Sequence, residues 1–261
     1  MEDTDHSILR RMQSFKAWFH DWSDHFVIIG GAACSLILSE DDTPFRPTKD
    51  IDVVLLIEAM NADFGRRFWE YILEAGYEHK QKSSGKPQFY RFYAPKNHGY
   101  PEMVELFSRH IDGLTLPADA VITPIPIGED ISSLSAILLS DDYYDFLVSG
   151  IRRIDGLPVL DEIHLIPFKA KAWLELTVRR SESGGVDLND IRKHKRDIYQ
   201  MAAHIPPGFK MKLPDVVQAD MRKFILAVQE RLPNTPRKER AAEKVRIESI
   251  VSFFGIPVDS N

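Results

Sequence analysis

The chain has 261 residues, 44% of them hydrophobic, and a net charge of −6, which supplies apolar material for one large core or two small ones and argues against a protein coated all over in nucleic acid. Its single cysteine, Cys34, excludes an intrachain disulfide and a zinc site of the usual Cys/His spacing. No apolar run reaches the roughly 18 residues of a membrane helix, and the acidic start Met1-Glu2-Asp3 lacks the pattern of an export signal, so a cytoplasmic protein with no membrane partner is expected.

Ile8, Met12, Phe15, Phe19 and Trp22 recur at three- and four-residue steps and predict an opening amphipathic helix. A buried strand over 26–29 and a short helix over 31–38 follow, with Cys34 as a small core residue. Asp41, Asp42, Pro44 and Pro47 make 39–47 a loop before a strand over 49–57. The next helix, 62–74, ends at Gly76 as its cap. Strands are expected over 77–82, 88–93 and 103–108, the first two joined by a hairpin turn at 83–87. Pro124 and Pro126 confine a further strand over 121–127 to a sheet edge.

Beyond Ile131 the texture becomes helical: 141–148, then a helix starting at Pro167 and reaching Arg179. After a break at 181–185, a helix from Asp187 or Asn189 turns Ile191, Ile198, Met201 and Ala202 inward, and two more cover 214–231 and 237–254. The whole reads as an α/β (α+β) domain with a mixed sheet over 1–135 and a mainly helical domain over 136–261, the boundary falling between Ile131 and Asp161.

The chemistry is concentrated in two stretches. Val27-Ile28-Ile29-Gly30-Gly31 ends an apolar strand on paired glycines, which expose backbone N–H groups at a helix start where a phosphate is stabilised. Arg46-Pro47-Thr48-Lys49-Asp50-Ile51-Asp52 then puts two carboxylates at i, i+2 on a strand, hence on one face. Phosphoryl-transfer sites use several carboxylates around ions about 3.5–4 Å apart. Glu105, a lone acid inside Met103-Val104-Glu105-Leu106-Phe107, offers the third, since burial of an unpaired charge would be costly. The plain alternatives are acids at the solvated start of a strand, and an edge strand exposing Glu105 or its neighbour Glu102. Arg192-Lys193-His194-Lys195-Arg196, with Arg179 and Arg180, reads either as a solvated helix face or as a landing surface for RNA phosphates.

Strand, Gly-Gly, helix, then Arg-x-Thr-x-Asp-Ile-Asp resembles the polymerase-β-type nucleotidyltransferase superfamily and, within it, the AbiEii/AbiGii abortive-infection toxin family. Two further stretches are similar to motifs of that family: Ile166-Pro167-Phe168-Lys169-Ala170-Lys171-Ala172-Trp173 and Lys193-His194-Lys195-Arg196-Asp197-Ile198-Tyr199. The likeness spans about residues 26–203. It implies a polymerase-β-like nucleotidyltransferase domain followed by helices, with Gly30, Gly31 and Thr48 holding the nucleotide and Asp50, Asp52 and Glu105 holding Mg²⁺. Lys169 would lie against the triphosphate, and Asp197 would be the first acid of the late motif, whose second acid is here Gln200. The implied activity is transfer of a nucleotidyl group from an NTP to an RNA, such as tRNA, or to a protein hydroxyl, as a toxin or phage-defence component with a cognate antitoxin. On the residues themselves, Lys169 also suits the wet margin of an amphipathic helix, and Asp197 an ion pair with Lys193. The alternatives in function are a catalytically inactive nucleotidyltransferase-fold binding module and a small-molecule nucleotidyltransferase.

Overall fold

Four consecutive apolar residues make β1 (Phe26–Ile29), buried along its whole length near the middle of a six-stranded sheet. The computed structural model describes residues 6–56, 62–78, 90–107 and 141–257. The expected hairpin turn at 83–87, most of the strand at 77–82 and the strand at 121–127 lie outside the described residues. The described residues form a mixed α/β structure with eight α-helices, and none of those helices is long and apolar enough to cross a membrane.

They fall into two compact units. The first holds α1 (His6–Phe19), β1, α2 (Gly30–Ser39), β2 (Asp50–Leu55), α3 (Ala62–Ala75), β3 (Tyr90–Tyr93), β4 (Met103–Phe107) and a hairpin, β5 (Ile151–Ile154) with β6 (Leu157–Leu160). The sheet order is β3-β4-β2-β1-β6-β5. β1 runs antiparallel to β2 and parallel to β6, while β2 runs parallel to β4. Parallel neighbours cannot be joined by a tight turn, and between β2 and β4 the chain passes through α3 and β3. Phe15, Phe19, Phe26, Phe64, Phe68 and Tyr71 form a continuous buried aromatic cluster linking α1, β1 and α3. The apolar periodicity of the first helix buries Ile8, Met12, Phe15 and Phe19, as its spacing predicts.

The β5–β6 hairpin corrects the sequence reading, which gave everything beyond residue 135 to the helical part. Asp155 and Gly156, both at positive φ, form its two-residue turn. The hairpin joins the sheet through β6, so the chain returns to the first unit after α4 (Asp141–Ser149). Its signal is masked by two arginines in β5 and by Pro158 in β6, which together break the apolar alternation.

The second unit contains α4, α5 (Glu162–Ser183), α6 (Leu188–His204), α7 (Asp215–Arg231) and α8 (Arg237–Phe254). α5 packs on α6 and α7, burying Phe168, Ala172, Trp173, Ile198, Met201, Met221 and Phe224. Pro167 stands inside α5, not at its first turn: the helix begins at Glu162. Proline removes one backbone donor there, yet Leu165, Ile166 and Phe168 beside it are fully buried, and that burial outweighs the lost bond. Asp187 caps α6 by accepting from the Asn189 backbone N–H at 2.9 Å. Cys34 is buried in α2.

Candidate active site on the sheet

β2 alternates as a strand must: Ile51 and Val53 are buried on one face, and Asp50 and Asp52 lie partly exposed on the other. Parallel pairing sets Asp52 directly beside Glu105 of β4. Antiparallel pairing sets Glu105 beside Arg91 of β3. Register partners share a face, so one row across the sheet reads Ile29, Asp52, Glu105, Arg91, from β1 to β3.

At the end of β1 the chain turns into α2 through Gly30, at φ +68°. A side chain there would be strained by its backbone, and a Cβ would collide with the Asp52 carboxylate. Glycine is therefore needed twice over, and Asp52 rests on the backbone at the helix start. Beside it, a Cβ on Gly31 would stand 3.0 Å from Thr48 Oγ1 and 3.2 Å from an Arg46 Nη2. Thr48 is itself buried, and the Arg46 guanidinium lies over the Phe45 ring. Gly30, Gly31, Thr48, Asp50, Asp52 and Glu105 are thus brought together on one part of the sheet unit, with Arg46 and Arg91 added to them.

Glu105 is only 6% exposed. Its counter-charge is Arg91, whose Nε and Nη2 donate to Glu105 Oε1 at 2.7 and 2.6 Å. Among the described residues no three His, Cys, Asp or Glu side chains stand grouped as a metal-ligand set. The donor chemistry of Asp50 and Asp52 fits a hard divalent cation, and Glu105, drawn to Arg91, does not complete the set in this arrangement. At the exposed end of the strand pair, burial opposes the charge of Glu102, but hydrogen bonds from Arg11 and Lys49 outweigh it and hold the carboxyl below its usual range.

Lys169 and Asp197 belong to the helical unit, where Lys169 Nζ donates to Asp197 Oδ2 at 2.9 Å with both side chains buried. The two late motifs therefore meet each other, while Lys193 bonds to Asp190 one turn back. The two lysines of the basic run on α6 are answered by acids, Lys195 pairing with Glu243 at 2.6 Å, while Arg192 and Arg196 are its exposed members. The lysines are held within the helical unit, and the solvated face of the run is carried by its two arginines.

Arg91 and Arg46 were not singled out from sequence. Strand pairing is what gives Arg91 its place, and a single arginine in Tyr90-Arg91-Phe92-Tyr93 carries no mark of its partner. Arg46 stands in the Arg-x-Thr-x-Asp-Ile-Asp stretch, and its approach to Gly31 is a tertiary fact. No family model, curated protein or solved structure matches this chain.

Proposed function

We propose that the protein is a Mg²⁺-dependent nucleotidyltransferase of polymerase-β-like type, transferring a nucleotidyl group from an NTP to a hydroxyl of RNA, tRNA included, or of a protein. The observation that carries the reading is the seating of Asp52 over Gly30 with Glu105 beside it in register. The side-chain-free helix start offers backbone N–H groups to a phosphate, and the half-exposed carboxylates beside it offer oxygen ligands to a cation.

In this reading the backbone N–H groups at Gly30 and Gly31 receive the phosphates, and Arg46 and Thr48 fix the chain around Gly31. Asp50 and Asp52 are the residues that would hold Mg²⁺. When bound, the ion neutralises phosphate charge and makes the acceptor hydroxyl more acidic. A carboxylate of the site accepts the hydroxyl proton; the acceptor oxygen forms a bond to the α-phosphorus as the bond to the β-phosphate oxygen breaks, and pyrophosphate leaves. The resemblance supports a toxin or phage-defence setting with a cognate antitoxin.

The test is incubation of the protein with α-labelled NTPs, Mg²⁺, total RNA and lysate. Label on RNA or protein from the wild type, absent with Asp50→Ala/Asp52→Ala, is the expected result. The Arg91–Glu105 pair favours a second reading, a non-catalytic nucleotide-binding module, which predicts NTP binding with no label transferred. Label confined to small molecules would point to the third class.

A further inference from the structure

α2 is 10 residues long and begins without a side-chain cap: Ile29 at the cap position makes no side-chain hydrogen bond, and the first turn holds no acid. The leading N–H groups of a helix have no partner within it, and the helix dipole adds to their pull on an anion. Each Cα–Cβ bond of a helix tilts toward the N-terminus, so the spot that Gly31 leaves bare faces that end. Two donors reach it. Thr48 Oγ1 and Arg46 Nη2 stand 3.0 and 3.2 Å from where a Cβ on Gly31 would be. Thr48 is only 8% exposed, and its hydroxyl has no hydrogen-bond partner among the described residues. A buried hydroxyl left unbonded costs stability, and this one is aimed at the helix start. The Arg46 guanidinium lies over the Phe45 ring, 5.1 Å from its centroid, and such stacking holds the plane of the fork.

We propose that Thr48 Oγ1, the Arg46 guanidinium and the Gly31 backbone N–H form one seat for a phosphate group, in which Arg46 makes an anion acceptable. This rests on the nucleotidyltransferase reading of the same site and gives its two non-acidic side chains direct contact with the polyphosphate. Asp52 stands over Gly30, one residue away. A phosphate arriving at Gly31 meets that negative charge, and a permanently charged guanidinium offsets the repulsion. The arginine fork matches two phosphate oxygens, and the hydroxyl and the N–H each supply one further donor. None of these groups reads a base or a ribose. Pyrophosphate alone is therefore a ligand of the seat, and it competes there with an NTP.

Calorimetric titration with pyrophosphate and, separately, with a non-hydrolysable NTP analogue, both in Mg²⁺, tests this without reference to turnover. Arg46→Gln is expected to weaken both ligands at least about tenfold, as loss of a hydrogen bond to a charged group does. Thr48→Val weakens both in the same direction, and Thr48→Ser, which keeps the hydroxyl, stays close to wild type. Gly31 is not at positive φ, so Gly31→Ala is free of backbone strain; its methyl crowds the two donors and weakens both ligands. Equal urea midpoints for Arg46→Gln, Thr48→Ser and the wild type confirm that folding is not being read. If the analogue binds the wild type, is lost in Asp50→Asn/Asp52→Asn, yet keeps its affinity in Arg46→Gln and Thr48→Val, the seat is overturned and the nucleotidyltransferase reading stands. If pyrophosphate binds through Arg46 and Thr48 while the analogue neither binds nor competes, the seat stands and that reading falls. If neither ligand binds the wild type, both fall.

Discussion

The helical unit and the sheet unit arrange their acids differently, although both answer a buried one with a cation, Arg91 on Glu105 in the sheet unit. Among the described residues, the helical unit buries Asp197, Asp220 and Glu243, and each meets a lysine within 2.9 Å: Lys169, Lys171 and Lys195. Further donors complete two of them, Lys223 and Tyr143 on Asp220, and Tyr199 and Thr235 on Glu243. Burial alone would push these two carboxyls up; the lysine contacts outweigh it and hold both below their usual range. The sheet unit instead sets Asp50, Asp52 and Glu105 on one face, with two acids side by side on adjacent strands. The first pattern is what folding stability selects. The second sets half-exposed carboxylates beside a helix start without side chains, which makes it the place to look for a ligand.

The widest separation between the two regions comes from single substitutions in chemical denaturation. Lys169→Met leaves Asp197 buried without its ammonium and is expected to lose about 3–5 kcal/mol. A loss below about 1 kcal/mol would show that the pair is not a structural pin. Gly30→Ala introduces a residue at φ +68°, a strain of about 1–3 kcal/mol before its collision with Asp52 is added. Nucleotide binding should fail in the same variant, because the carboxylate must move. An unchanged urea midpoint would remove the argument that Gly30 is required by geometry.

On the opposite side of the comparison, Asp52 is half-exposed, and Asp52→Asn is expected to change stability by less than about 1 kcal/mol. A loss above 2 kcal/mol would make Asp52 a structural residue like Asp197. A separate test is a slope with pH. Burial, with Asp220 adding to it and Lys171 and Arg179 opposing, raises the Glu175 carboxyl in the helical unit to about 7 from an ordinary 4.5. Its folded state prefers the proton, so the stabilisation is full below pH 4.5 and is lost as pH rises through about 7. Between those limits the wild type should lose stability relative to Glu175→Gln, and parallel pH profiles would contradict the assignment.

Much of the frame was readable in order along the chain because it rests on local signals. The apolar run at β1 and its Gly-Gly end, the i, i+2 acids of β2 and the three-to-four spacing of α1 and α3 each depend on near neighbours. What sequence could not supply depends on pairing between distant segments. The β5–β6 hairpin had a turn signal in Asp155-Gly156, but its strands lack clean alternation. Pro167 looked like a helix start because proline favours a first turn, whereas tertiary burial of its neighbours carries α5 back to Glu162. Asp50 and Asp52 were placed on one face by periodicity, but the positions of Glu105 beside Asp52 and of Arg91 across from Glu105 are properties of strand register.

Linkage between ligand and folding tests the central claim most directly. A ligand that binds only the native state at a hundred times its dissociation constant adds about 2.7 kcal/mol of stability. Urea denaturation of the wild type with and without Mg²⁺ and a non-hydrolysable NTP analogue should show such a gain, and Asp50→Asn/Asp52→Asn should fold normally and show none. An equal gain in both proteins, or none in either, would contradict the assignment of these carboxylates to a cation-assisted nucleotide site.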